Sequence, residues 1–172
     1  MRVVNTFIGD VTTEAERDAD FAHMAELCDH GARAGPTIGM ETDGITMPTA
    51  EIGVAILDRI GRTDVIGFNY DPTNMIYYAA GDSQMDIAYA LPRPVHLHLK
   101  DKVGGKGDFH FPPPGDGEFD LAALLRRCTD AGDAGPISAG VEFDDRGWPD
   151  DARCQAAAHR SVANLRVVGL PV

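Results

Sequence analysis

The sequence predicts an α/β domain built on a parallel sheet. Short apolar, β-branched runs alternate with longer segments whose apolar residues recur at helical spacing. Gly and Pro punctuate the chain where one kind of segment gives way to the other. Five strand–helix pairs follow one another with no internal linker, so residues 1–172 read as one domain.

The elements follow in order. Arg2 to Ile8 is a strand that Gly9-Asp10 ends. Thr13 and Glu16 have the capping-box form and open a helix with Phe21, Met24, Ala25, Cys28 and Ala32 on one face. Gly31 and Gly35-Pro36 read as its stop. Thr37 to Glu41 is the second strand, and Thr42-Asp43-Gly44 a turn. The next helix carries Ile52, Ala55, Ile56 and Ile60 on one face, with Gly61 beyond its end. Val65 to Tyr70 is the third strand, ended by Asp71-Pro72 because proline cannot donate to a sheet ladder. Thr73 to Ala80 and Ser83 to Leu91 are short helices, and Pro92 and Pro94 stop the second. Val95 to Leu99 is the fourth strand. Asp120 caps a helix over Leu121 to Ala131, with Leu121, Leu124, Leu125 and Cys128 as its apolar face. Ile137 to Phe143 is the fifth strand, and Asp151 to Val168 a closing helix with Ala158, Val162, Leu165 and Val168 in its stripe.

An eight-unit barrel uses about 250 residues, or about 31 per unit. Five units therefore fit either a barrel with about three units absent or a small open sheet. The Gly/Pro-rich loop over residues 104–117 is too long for an ordinary connection and reads as functional.

The formal net charge of -12 argues against a nucleic-acid partner, since phosphate backbones require a basic face. A small anionic substrate stays open, because all three lysines, Lys100, Lys102 and Lys106, cluster in the stretch after the fourth strand. No run approaches the roughly 18 apolar residues of a membrane span. The N-terminus reads as a strand and not as a signal peptide. Cys28, Cys128 and Cys154 lie far apart with no CxxC, which suits reduced, packed thiols in the cytoplasm.

Four strands end in a metal-ligand type: Glu41, Asp71, His98 and Glu142. In parallel α/β folds the C-terminal strand ends share one mouth, so these residues converge. Such a mostly oxygen site suits Mn²⁺ or Mg²⁺ and accepts Co²⁺ or Zn²⁺. A strand-end acid can equally cap a helix or solvate a loop.

The segment His96-Leu97-His98-Leu99-Lys100-Asp101, followed by a loop and Gly115-Asp116-Gly117-Glu118-Phe119-Asp120, resembles the sugar phosphate isomerase/epimerase family. That family has the xylose isomerase-like TIM barrel fold, shared more distantly with endonuclease IV. Glu41 in GMETDG, Asp71 in Asp71-Pro72-Thr73-Asn74 and Glu142 in Gly140-Val141-Glu142-Phe143 match its other motifs. The likeness runs over nearly the whole chain and aligns it with the barrel's strands 4 to 8, so the resemblance implies a partial (β/α)8 barrel whose first three units are absent. A truncated product, completion by a second copy or a partner chain, and an open sheet are the three explanations.

The resemblance implies one divalent metal ion held by Glu41, Asp71, His98 and Glu142, with Glu41 and Glu142 as the acid/base pair of a sugar isomerase or epimerase. Asn74 stands where related epimerases often have histidine, which leaves the exact reaction open and extends it to an inosose-type dehydratase. Asn74, Lys100, Lys102, Lys106, His110 and Trp148 are the expected substrate contacts, while His96, Asp101 and Asp108 are expected to support the ligands from behind. Asp108 and His110 also resemble a ligand pair of endonuclease IV, whose phosphodiester chemistry needs several zinc ions. An inactive fragment that binds metal or a partner without turnover is the alternative of another class.

Overall fold

The structure, a computed structural model, describes residues 2–132, 135–144 and 146–170. In chain order the elements are β1 (Val3–Thr6), α1 (Glu14–Ala34), β2 (Thr37–Glu41), α2 (Ala50–Ile60), β3 (Ile66–Tyr70), α3 (Pro72–Ala79), α4 (Ser83–Ala90), β4 (Pro94–Leu99), β5 (His110–Phe111), α5 (Leu121–Asp130), β6 (Ile137–Ala139), β7 (Phe143–Asp144) and α6 (Asp151–Val167). Among the described residues, β1, β2, β3, β4 and β6 form one parallel five-stranded sheet in that order. It is half of a barrel. β5 and β7 pair antiparallel as a separate two-stranded ribbon.

Strand alternation sorts the two faces of the sheet. Ile38 and Met40, Ile66, Phe68 and Tyr70, and Val95, Leu97 and Leu99 are buried and make the core with the helices. The residues between them are polar or small: Asn5, Gly39, Glu41, Asn69, Asp71, His96, His98 and Lys100. They share the concave face, on the inside of the half-barrel. Among the described residues the outer edges stay open: Val4 on β1 is 46% exposed and Ile137 on β6 is 40% exposed.

Helix signals hold with local adjustments. Thr13 and Glu16 form the reciprocal capping box, and Gly35, with φ 92°, caps α1. Gly31 does not stop α1 but lies inside it, where a Cβ would sit 3.1 Å from the Pro36 carbonyl oxygen. In α2 the buried face is Gly53, Ile56, Leu57 and Ile60, while Ile52 and Ala55 are exposed. Gly53 sets that rotation, because a Cβ there would lie 2.5 Å from the Phe68 ring. In α6 the buried face is Ala157, Ser161 and Leu165; Leu165 keeps its predicted place, while Ala158 and Val162 lie exposed beside their buried neighbours. Asp86 ties α4 to α2 by accepting from the Ala50 and Glu51 amides at 2.8 and 3.1 Å. No helix among the described residues is long and apolar enough to cross a membrane.

The predicted fifth strand is shorter than its sequence suggests. β6 ends at Ala139, and the chain then swerves so that Glu142 N donates to the Phe111 carbonyl at 3.3 Å. Phe143 takes a left-handed φ of 66°, which sequence alone does not announce.

Asp101 organises the long loop. Its carboxylate is fully buried and accepts backbone N–H bonds from Lys102, Gly115, Gly117 and Phe119 at 2.8, 2.7, 2.9 and 3.0 Å. Gly117 is required there, since a Cβ would lie 2.2 Å from Asp101 Oδ1. Lys102 is also buried, donating to the Val103 and Asp108 carbonyls beneath the Phe111 ring. Asp108 accepts from the Gly105 amide. Replacing Asp101 with alanine strands four amides, and should cost about 3 kcal/mol. Limited proteolysis should then cut within residues 103–118 before the domain unfolds; protection equal to wild type would contradict this role.

Candidate metal centre

Three consecutive strands deliver three side chains to one point. Glu41 closes β2, Asp71 follows β3, and His98 lies on β4. One ligand atom from each falls within 4.8 Å of the other two. His98 Nδ1 lies 2.9 Å from Glu41 Oε1 and 3.5 Å from Asp71 Oδ2. Its other nitrogen, Nε2, faces Gly140, where a Cβ would intrude to 2.6 Å. Gly140 therefore leaves room for the ring, and Nδ1 is the nitrogen turned to the acids.

Asp71 is held by its backbone and by one oxygen. Thr42 Oγ1 accepts from the Asp71 amide and donates to its carbonyl. Oδ1 caps α3, accepting from Thr73 N, Thr73 Oγ1 and Asn74 N at 2.9, 2.8 and 3.0 Å. Oδ2 is buried with no aligned hydrogen-bond donor. A buried carboxylate oxygen left this way requires a cation, and Lys100 Nζ approaches to 3.1 Å.

Lys100 shares the concave face with His96 and His98. Its ammonium is buried and donates to Asn74 Oδ1 at 2.7 Å and Glu142 Oε1 at 2.8 Å, over the Phe111 ring. Burial disfavours its charge, but Asp71 and Glu142 outweigh this and hold its pKa above the ordinary lysine value. His98 follows the same pattern: burial opposes the charge, while the Glu41 hydrogen bond and the Asp71 and Glu41 charges raise its pKa overall. Glu41, Asp71 and Glu142 thus face one ammonium and one imidazole. That donor set, with a buried Asp71 oxygen at its centre that no aligned hydrogen bond satisfies, fits a hard divalent cation.

The other predicted residues are dispersed. Glu142 lies outside the close group, on Lys100, with a side chain 41% exposed. Asn74 reaches Glu41 Oε1 and Asp43 Oδ1 at 3.4 Å each. Lys102 and Asp101 face into their own loop, and Asp108 and Lys106 are exposed on it. Phe111 faces Lys100, so its neighbour His110 points the opposite way, into a cleft of about 240 Å³ with Phe143, Arg153 and Arg160. Trp148 is fully exposed and lines a cleft of about 520 Å³ with Phe109, Glu142 and Phe143. His96 stands one tier below His98, with its pKa lowered by burial and by His98.

Two further groups join the site. Asn69 Nδ2 donates to Glu41 Oε2 at 3.1 Å. Asp43 sits beside Asn74 and accepts from the Tyr78 hydroxyl; burial raises its pKa, and Tyr78 is raised with it by burial and the Asp43 charge. Asn69 lies on β3 two residues before Asp71, so the alternation that pairs His96 with His98 also points to it. Asp43 follows a strand end in a turn, where no periodicity distinguishes it.

A family model described as the xylose isomerase-like TIM barrel matches residues 2–160. The structure is similar to a xylose isomerase domain protein from Planctomyces limnophilus, with TM-score 0.77 and 19% identity over 96% of this chain and 57% of that one. A xylose isomerase-like TIM barrel protein from Mycobacterium smegmatis in complex with magnesium gives TM-score 0.75 and 20% identity over 97% and 61%. An L-ribulose 3-epimerase gives TM-score 0.68 and 19% identity over 99% and 65%. No curated protein matches the chain. At these identities the structural likeness is one of fold, and the chain spans 57–65% of the length of these three structures. With the family model covering nearly all of it, the chain belongs to the xylose isomerase-like TIM barrel family.

Proposed function

We propose that the protein is a divalent-metal-dependent isomerase or epimerase of a sugar, sugar phosphate or related polyol, moving a proton on the carbon beside a carbonyl. The convergence of Glu41, Asp71 and His98 within 4.8 Å carries this reading. The fold shared with an L-ribulose 3-epimerase and with a magnesium-bound relative supports it.

Glu41, Asp71 through Oδ2 and His98 through Nδ1 would hold the ion, with Glu142 as a fourth ligand drawn from its place on Lys100. Mn²⁺ or Mg²⁺ suits this set best, ahead of Co²⁺ or Zn²⁺. When bound, the cation would supply Lewis-acid charge to the substrate's carbonyl and hydroxyl oxygens. Glu41 and Glu142 form the acid/base pair, one carboxylate removing the proton and the other returning it. Lys100 orients Glu142 and Asn74 together through its two hydrogen bonds. Asn74 hydrogen-bonds substrate but carries no proton near neutral pH. Trp148 and Lys106 supply contacts at the exposed rim.

The open edges at β1 and β6 favour a second reading, a binding module without turnover or a barrel completed by a second copy or partner chain. The order of ligand-bearing strands fits units four to eight of an eight-unit barrel.

A panel of ketoses in deuterated buffer with Mn²⁺ separates the readings. The enzyme reading expects deuterium on the carbon beside the carbonyl, and a loss of at least about 10²-fold in Glu142→Gln. No exchange with any ketose, or full exchange in the variant, contradicts it. Metal counting should give one ion per chain, whereas several zinc ions would favour the endonuclease-like chemistry.

Acid should weaken metal binding with a definite sign. The ion replaces the proton that His98 Nδ1 shares with Glu41, so binding releases one proton below the raised His98 pKa. Mn²⁺ affinity should fall about tenfold per pH unit below that pKa and level off above it. Calorimetry in buffers of different ionisation enthalpy checks this; no proton release at pH 6 would exclude His98 as a ligand.

A further inference from the structure

Two residues before Glu41, Asp71 and His98 on the concave face lie Gly39, Asn69 and His96; Asn69 pairs with both Glu41 and His96 in the sheet register, and Asn5 pairs with Gly39. Asn69 is nearly fully buried. Its Nδ2 lies 3.1 Å from Glu41 Oε2, and its Oδ1 lies 2.6 Å from His96 Nδ1. Gly39 makes the space, because a Cβ there would meet Asn5 Oδ1 at 2.4 Å and Asn69 Cβ at 3.2 Å.

The hydrogen-bond chemistry of this chain allows one arrangement. An ionised glutamate only accepts, so Asn69 must turn its NH₂ group to Glu41. The Asn69 carbonyl then faces His96, and a carbonyl also only accepts, so His96 Nδ1 must carry the proton. Asn5 Nδ2 lies 3.2 Å from the same nitrogen, and since an NH₂ group only donates, a protonated Nδ1 requires the Asn5 amide to turn its oxygen toward His96.

We propose that Asn69 is a positioning residue for Glu41 and that His96, in its Nδ1–H tautomer, locks Asn69 in place. Asn69 occupies Oε2, which keeps Oε1 turned toward His98. This inference rests on Glu41 acting as a metal ligand. Groups that orient ligands in this way typically change metal affinity 10–100-fold when removed.

The test has two arms. In ¹⁵N-histidine-labelled, metal-free protein at pH 8, long-range ¹H–¹⁵N spectra should show His96 protonated on Nδ1, and Asn69→Leu should abolish that signature. Calorimetry should show Mn²⁺ bound about 10–100-fold more weakly by Asn69→Leu and by His96→Leu. His96→Gln, whose side-chain NH₂ can still donate to Asn69, should recover most of the affinity. The proposal is overturned by an Nε2–H tautomer in the wild type, or by wild-type Mn²⁺ affinity in both leucine variants at unchanged melting temperature. If Asn69→Leu does not fold, the two His96 variants at a half-exposed position decide the affinity arm. A wild-type chain that binds no Mn²⁺ removes the metal reading, and the tautomer arm alone then decides this one.

Discussion

The Asp71 carboxylate divides its two oxygens between folding and chemistry, and the site is built around that division. Oδ1 accepts three bonds from the first turn of α3 and thereby fixes the side chain. Oδ2 is left buried with no aligned hydrogen bond, ion-paired with Lys100 at 3.1 Å and facing His98 at 3.5 Å. A helix cap of this kind contributes about 1 kcal/mol, small beside the penalty of several kcal/mol for an ion taken out of water. The Lys100 ammonium facing Oδ2 adds to the capping bonds in holding this buried carboxylate.

Lys100 supplies part of that charge and sets the distribution of the rest. Its ammonium reaches Asp71 on one side and Glu142 on the other, joining the β4 strand to the segment between β6 and β7. Three acids then face one ammonium and a histidine whose pKa Glu41 and Asp71 raise against the opposing effect of burial. The concave face of the half-barrel thus concentrates negative charge at one end, while the convex face is apolar and packed under helices. A strand pleat that alternates polar and apolar residues is enough to produce both faces.

Much of this is legible in the sequence because it follows from local rules. The capping box at Thr13, the strands carrying Glu41 and His98, and the Asp71-Pro72 break are signals of a few residues each. Asp71 was legible as either a cap or a ligand, and it is a cap through one oxygen while the other faces the site. What stays hidden depends on partners far apart in the chain. Lys102 reads as a free cation in a glycine-rich loop, yet two loop carbonyls and an aromatic ring enclose it. Asp101 reads as support for the ligands, and instead gathers four amides of the loop. Glu142 reads as a strand end, but β6 stops at Ala139 and the chain crosses to pair with the β5 strand, with Phe143 in a left-handed conformation. The rotation of α2 is set by contact of Gly53 with Phe68, which no helical periodicity encodes.

The central claim is that one cation sits among Glu41, Asp71 and His98. An anomalous difference map from crystals grown with Mn²⁺ tests it most directly. The account predicts a single strong peak about 2.0–2.3 Å from Asp71 Oδ2, His98 Nδ1 and a Glu41 oxygen. A peak at His110 and Asp108 with none at these three residues, or an Nζ of Lys100 still seated against Asp71 Oδ2 with no peak beside it, would contradict it.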